Sequence, residues 1–104
     1  MSRTNKAQTL TDNQLDRVAQ QFRVLGEPMR LKILQAICRE PLTVTEIVEA
    51  TGANQSNVSK HLSLLASAGI ITRQKNGQFV YYGLTDPMTL KLCELVHGQV
   101  SDRS

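Results

Sequence analysis

Apolar residues recur every three or four positions in five segments of the chain, which is the spacing of one face of an α-helix. The first segment starts at a capping-box pattern, Thr11 with Gln14, and ends at Gly26. Its apolar positions are Leu15, Val18, Ala19, Phe22 and Leu25. The second segment starts at Pro28, which suits a first helical position, and ends before Pro41. Its apolar positions are Leu31, Ile33, Leu34, Ile37 and Cys38.

The next two segments predict a helix, a tight turn and another helix. Thr43 and Glu46 repeat the capping-box pattern, and Gly52 suits the end of this short third helix. Asn54 is the predicted N-cap of the fourth helix, and Gly69 marks its end. The positions of the fourth helix that we expect to face the core are Val58, Leu62 and Leu65.

A hairpin and a last helix complete the pattern. Residues 70–75 and 78–84 are rich in β-branched and aromatic residues, and the Asn76-Gly77 pair between them is a strong hairpin signal. Asp86 and Pro87 cap a fifth helix that is apolar on more than one face, so we expect it to contact both its own domain and a second copy of the chain. The pattern predicts a mainly α fold with a β-hairpin, a winged helix-turn-helix with the wing before the last helix.

Composition indicates the domain boundaries and the cellular compartment. The polar, non-periodic ends predict flexible tails at residues 1–9 and 101–104, around one domain at residues 10–100. A net charge of +3 and a pI near 9.1 suit a polyanionic partner. No apolar run approaches the roughly 20 residues that cross a bilayer. Two cysteines are too few for a disulfide-built fold, so we expect a cytoplasmic protein without a membrane partner.

The fourth helix carries the strongest functional signal. Opposite its core-facing positions lie small amide and hydroxyl residues, which allow close approach to DNA base edges: Gln55, Ser56, Asn57 and Ser59. Lys60 is better suited to phosphate. No Asp or Glu occurs from Asn54 to Gln74, as a surface facing phosphate requires. The alternative is a merely solvated helix face, which would more naturally carry stronger helix formers than Ser and Asn.

Four further residues give weaker signals. His61 lies beside the core-facing positions, so it is either a structural histidine or a phosphate donor, and we favour a structural role with a minor DNA contact. The hairpin carries Arg73, Lys75 and Gln78, which would meet phosphates or the minor groove beside the fourth helix. Alternatively, these charges only prevent strand pairing between molecules.

With these features, the chain resembles the ArsR family of bacterial winged helix-turn-helix repressors over roughly residues 12 to 98. The matching segments are LGEPMRLKIL at 25–34, QSNVSKHL at 55–62 and GQFVYYGL at 77–84. The resemblance implies a homodimer joined through the first and fifth helices. It also implies binding of double-stranded DNA at an inverted repeat in a promoter, which blocks transcription until an inducer releases the protein. The sequence does not identify the inducer.

The metal sites of the resembling family are not matched. Its Cys-x-Cys pair in the third helix corresponds to Thr43 and Thr45, which are poor ligands. Its zinc ligands in the fifth helix correspond to Asp86, Met88, Gln99 and Asp102, so both histidines are lost. We therefore predict neither a metal nor a cofactor. A Cys93 and His97 pair completed across a dimer is a less favoured alternative.

Cys38 and Cys93 are similar in placement to the cysteines of a persulfide- and oxidant-sensing branch of this family, although both are shifted along their helices. A thiol switch at these residues would release DNA on oxidation or persulfidation. The alternative is that both cysteines are small buried apolar residues, the commoner role of a free cysteine.

The predicted function is a dimeric, DNA-binding transcriptional repressor that an unidentified signal releases from DNA, and the thiol switch is one candidate for that signal. The alternatives are a regulator without a thiol switch, either constitutive or responsive to another ligand, and a winged-helix protein-interaction module. We do not predict an enzyme, because Cys93 and His97 come with no oxyanion loop, glycine-rich phosphate cradle or carboxylate pair.

Overall fold

The computed structural model describes residues 9 to 103, with side chains for residues 9 to 100. Its elements in chain order are α1 (Asp12–Leu25), α2 (Pro28–Ile37), α3 (Val44–Thr51), α4 (Gln55–Ser67), β1 (Ile71–Asn76), β2 (Phe79–Leu84) and α5 (Met88–Arg103). The predicted winged helix-turn-helix order is confirmed. The backbone of residues 101 to 103 continues α5 beyond the predicted domain end at residue 100, and most of the predicted N-terminal tail lies outside the described residues.

Both predicted capping boxes are confirmed. The hydroxyl of Thr11 accepts a hydrogen bond from the Gln14 N–H at 3.1 Å, and the Gln14 side chain accepts one from the Thr11 N–H at 2.9 Å. Thr43 and Glu46 make the same reciprocal pair at the start of α3. Each capping box provides acceptors for two backbone N–H groups at the start of its helix, that of the N-cap residue and that of the residue three positions later. Gly52 then ends α3 at a positive φ of 76°, the left-handed conformation that glycine adopts without steric cost.

The core lies between α2, α3, α4 and the start of β1. Its buried apolar residues are Val24, Ile33, Leu34, Ile37, Ile47, Val58, Leu62, Leu65, Ile70 and Ile71. The predicted α4 positions are all buried, whereas α1 buries Val24 in place of its predicted stripe. Phe22 is 55% exposed on α1, and Leu31 is 40% exposed on α2. The spacing of apolar residues identifies an apolar face, but the neighbour that covers the face is set by tertiary packing.

The second strand of the hairpin forms backbone hydrogen bonds along both of its edges. β1 and β2 pair in antiparallel register, with Asn76 opposite Phe79. The two turn residues are Gly77 and Gln78, one position later than the predicted Asn76-Gly77 pair, and Gly77 provides the positive φ of 67° at the first of them. On the other side of β2, Leu42 exchanges backbone hydrogen bonds with Tyr82 at 3.0 and 2.8 Å. Next to this bridge, a Cβ atom at Gly83 would lie 3.2 Å from Pro41 Cγ, so glycine permits the close approach of β2 to the α2–α3 connection.

Candidate nucleic-acid interface

The start of α4 presents most of the predicted DNA-reading residues on one surface. Asn54 caps the helix, because its side-chain oxygen accepts a hydrogen bond from the Asn57 N–H at 2.7 Å. Val58, Leu62 and Leu65 turn into the core. The exposed residues on the opposite side are Gln55, Ser56, Asn57, Ser59 and Lys60. The amide and hydroxyl side chains among them are short enough for duplex DNA to approach the helix closely.

The electrostatics of this surface favour an anion. The first turn of α4 contains no acidic residue. The capping bond takes the N–H of Asn57, whereas the N–H groups of Gln55 and Ser56 have no acceptor within the helix. The positive end of the helix dipole and such N–H groups together attract phosphate oxygens.

His61 occupies a different environment from the other predicted contacts. Its ring is 8% exposed, and its Nδ1 accepts a hydrogen bond from the Arg30 Nε at 3.1 Å. The ring therefore lies inside the domain, bonded to α2. This position fits the structural role predicted for His61, and an 8% exposed ring offers little surface for a phosphate contact.

The predicted DNA contacts of the wing, which consists of β1, β2 and their turn, fall into two groups. Lys75 and Gln78 are exposed near the turn. The Arg73 guanidinium, by contrast, donates through Nε to the Tyr82 hydroxyl at 3.3 Å and lies over the Tyr82 ring, 5.9 Å from its centroid. Arg73 is exposed, but its guanidinium is held against Tyr82. The side chain of Lys75 is therefore the less constrained of the two cations.

The two cysteines line one cleft between α2 and α5. Cys38 and Cys93 are both unpaired thiols and both half-buried, and the cleft has a volume of about 590 Å³. His97 and Glu94 also line this cleft. Burial and, to a lesser extent, the neighbouring Glu94 carboxylate raise the pKa of the Cys93 thiol, so its reactive thiolate form is disfavoured.

Positions that correspond to metal ligands in the resembling family have structural roles here. Thr43 is the N-cap of α3, and the Asp86 carboxylate accepts a hydrogen bond from the Met88 N–H at 2.8 Å, at the start of α5. Across the part of the chain that the structure describes, no three His, Cys, Asp or Glu residues are grouped so as to hold a metal ion. None of the helices in residues 9 to 103 combines the length and the apolar character of a membrane-spanning segment.

Sequence reasoning missed Arg30. This residue lies in α2 between apolar neighbours, and its partner His61 is 31 positions away. No local pattern links the two side chains. The only available signals were an arginine on the core-facing half of α2 and a histidine next to Leu62, and neither identifies the other.

Comparison with known proteins agrees with this geometry. Residues 27–73 match the model of the arsR family of bacterial regulatory proteins. The chain is 37% identical over 89 residues to a probable mercury resistance operon repressor of Streptomyces lividans, covering 86% of this chain and 71% of that repressor. It is also 37% identical over 92 residues to the arsenical resistance operon repressor of Bacillus subtilis, covering 85% of this chain and 78% of the repressor.

Among solved structures, the chain is similar to the homodimeric winged helix-turn-helix DNA-binding domain of a possible ArsR-family transcriptional regulator from Mycobacterium bovis. The TM-score is 0.79 at 28% identity, and the match covers 90% of each chain. The sequence relatives are regulators, and none of those named is an enzyme. The chain therefore belongs to the arsR family of bacterial regulatory proteins and is a transcriptional regulator with a winged helix-turn-helix fold.

Proposed function

We propose that this protein is a homodimeric repressor that binds an inverted repeat in double-stranded DNA, with α4 of each subunit in the major groove. The observation that carries the proposal is the exposed face of α4, which is lined by amide and hydroxyl side chains and lacks carboxylates from Asn54 to Gln74. A repressor acts by occupying the promoter, so the required property is sequence-specific affinity for DNA.

The side chains divide by chemistry. Gln55 and Asn57 carry amides that pair with adenine in the major groove, and Ser56 and Ser59 bond to several base-edge groups. Lys60 and Lys75 contribute charge to the phosphate backbone, which gives affinity without reading sequence. Gln78, at the tip of the wing, reaches the neighbouring backbone or minor groove.

Dimerisation is supported by apolar side chains that the single chain leaves exposed on two helices. On α1 they are Leu15, Val18 and Phe22, and on α5 they are Leu95, Val96 and Val100. Leu95 is 75% exposed, an unfavourable position for a leucine in a monomer. An apolar cleft of about 550 Å³ lies between α1 and α5. Covering these helices with a second copy would place the two α4 helices about one DNA turn apart, on the order of 34 Å.

The test is selection of duplexes from a random library by the wild-type protein, followed by affinity measurements at several salt concentrations. We expect an inverted repeat to be enriched, with affinity falling steeply as salt increases. Gln55→Ala and Ser59→Ala should alter base preference within a half-site. Ser67→Ala, at the exposed far end of α4, is the matched control and should leave preference unchanged. No enriched sequence, or unchanged preference in both variants, would support the interaction-module alternative instead.

The shared cleft of Cys38 and Cys93 favours a second, finer proposal: a thiol switch that releases DNA. In it, peroxide accepts two electrons and two protons from the two thiols, giving two water molecules and one Cys38–Cys93 disulfide. A bond between α2 and α5 would shift α5, the proposed dimer helix, and thereby the spacing of the α4 pair. Persulfidation would act on the same thiols.

Cysteine substitution tests the switch independently of DNA recognition. Peroxide treatment should lower the operator affinity of the wild type, and Cys38→Ser or Cys93→Ser should abolish this response while leaving the reduced affinity intact. An identical response in the wild type and both variants would exclude the switch. No response at all would identify a regulator without a thiol signal.

A further inference from the structure

His61 is the one buried polar side chain among residues 9 to 100. It lies in the middle of α4, one position before the buried Leu62. Its Nδ1 accepts a hydrogen bond from Arg30 Nε at 3.1 Å. Because a guanidinium only donates, Nδ1 carries a lone pair and the ring proton is on Nε2. A buried polar group of this kind destabilises the fold unless its partner is retained.

The same Arg30 side chain also reaches α1. Its Nη1 donates to the carbonyl oxygen of Val24 at 3.1 Å, in the last turn of α1, where carbonyl groups have no helical donor. One guanidinium therefore joins the carbonyl end of α1 to the middle of α4. Lysine could not replace it, since a single ammonium lacks the planar fork that points two N–H groups at two separated acceptors.

A second polar link joins the same two helices. The Gln21 side chain in α1 donates through Nε2 to the carbonyl oxygen of Ala68, the C-cap residue of α4, at 3.1 Å. The two links hold α4 at its middle and at its end. Their sequence separations of 31 and 47 residues show that they fix tertiary geometry and not local helix formation.

We propose that Arg30 is a positioning residue for DNA binding: through His61 it sets the orientation of α4 relative to α1, and so sets the half-site spacing that the dimer accepts. The inference rests on the proposed function, because α1 contributes to the dimer interface and α4 reads the half-site. Neither side chain contacts DNA in this role. Arg30 and His61 determine which spacing is bound, and the exposed residues of α4 determine which bases are bound.

The experiment uses the full chain and the inverted repeat that the wild type selects, resynthesised with its half-site centres moved by one to three base pairs. A duplex with a single half-site is included. We expect the wild type to bind the selected spacing about tenfold more tightly than the displaced ones. Arg30→Met should lose this preference for one spacing. Its affinity for the single half-site should fall only by the amount that the loss of one positive charge causes.

Arg23→Met is the matched control. Arg23 is exposed, and its guanidinium bonds to Gln20 within α1, so the substitution removes the same charge without breaking a link between helices. It should retain the spacing preference. His61→Gln, whose amide oxygen accepts from a guanidinium, should also retain it, and His61→Leu should lose it.

Two outcomes would overturn the inference. The first is an even loss of affinity at all spacings in Arg30→Met, with the wild-type preference kept. The second is the same spacing preference in His61→Leu as in His61→Gln, which decides the matter if Arg30→Met does not fold. Failure of the wild type to select any inverted repeat is a separate result, which refutes the proposed function and this inference with it.

Discussion

Arg73 and Tyr82 face each other across the hairpin, and the arginine is committed to the tyrosine by a 3.3 Å hydrogen bond and by stacking over its ring. The two cations of β1 therefore have different surroundings although they are two residues apart on the same face of the strand. A cation that lies over an aromatic ring and is itself exposed, as Arg73 is, contributes about 0.5–1 kcal/mol. Arg73 is thus expected to stabilise the wing more than it binds DNA.

Substitution of the two wing cations should separate these roles. Arg73→Ala should lower the free energy of unfolding by about 0.5–1 kcal/mol, because it removes the contact with Tyr82. Lys75→Ala should leave stability unchanged and reduce the slope of log affinity against log salt by about one, the effect of losing one phosphate contact. Denaturant unfolding and salt-dependent binding measure the two quantities. A larger loss of salt slope in Arg73→Ala than in Lys75→Ala would contradict this assignment.

Substitution of Asn54 should separate helix capping from DNA binding. Asn54→Ala removes the bond to the Asn57 N–H and should cost about 1 kcal/mol of stability. Asn54→Asp keeps an acceptor at the N-cap, so stability should match the wild type. The added carboxylate would lie next to phosphate, so DNA affinity should be lower than that of the wild type at low salt, and the difference between the two should narrow as salt increases. If Asn54→Asp and the wild type bound DNA with equal affinity, the start of α4 would not be the DNA-binding surface.

A charge at Leu95 should dissociate the proposed dimer. Leu95→Glu places a carboxylate on the most exposed apolar side chain of α5 among the described residues, and burying it in an interface is costly. Analytical ultracentrifugation should find a monomer, with affinity for the inverted repeat reduced toward that for a single half-site. Leu64→Glu, on an exposed position of α4, is the control and should remain dimeric. A dimeric Leu95→Glu would place the interface on another surface.

The thiol of Cys93 should react slowly at neutral pH. Burial and, to a lesser extent, the Glu94 carboxylate disfavour its thiolate, so the pKa of the Cys93 thiol is raised above its ordinary value and the protonated form predominates at neutral pH. Iodoacetamide labelling of a Cys38→Ser variant should therefore accelerate about tenfold for each pH unit up to pH 9. Glu94→Gln removes the like charge and should increase the rate, whereas Glu49→Gln on α3 should not. A rate that levels off near pH 7 would indicate an activated thiol.

The local features of the fold were predictable because they depend on neighbours in sequence. The capping boxes at Thr11 and Thr43 and the inward residues of α4 occur where the pattern placed them, and the hairpin turn lies one residue later than predicted. Each depends on a contact three or four residues away, or on the backbone freedom of one glycine. The outward face of α4 follows directly from the same periodicity.

The contacts between elements were not predictable in this way. Phe22 is exposed although it continues an apolar stripe, because α1 buries a different face against its own domain. Arg30 joins α1 to α4, and Arg73 is held by Tyr82, through side chains that no spacing rule pairs. For the candidate site, sequence patterns thus identified the surface residues of α4 but not the side chains that hold the helix in place.

The close approach of Gly83 to Pro41 has a consequence for the position of the hairpin. One methyl group at position 83 would lie 3.2 Å from Pro41 Cγ, so either the proline ring or β2 would have to move by a few tenths of an ångström. The distance between the wing and the α2–α3 connection therefore depends on the absence of a side chain at position 83.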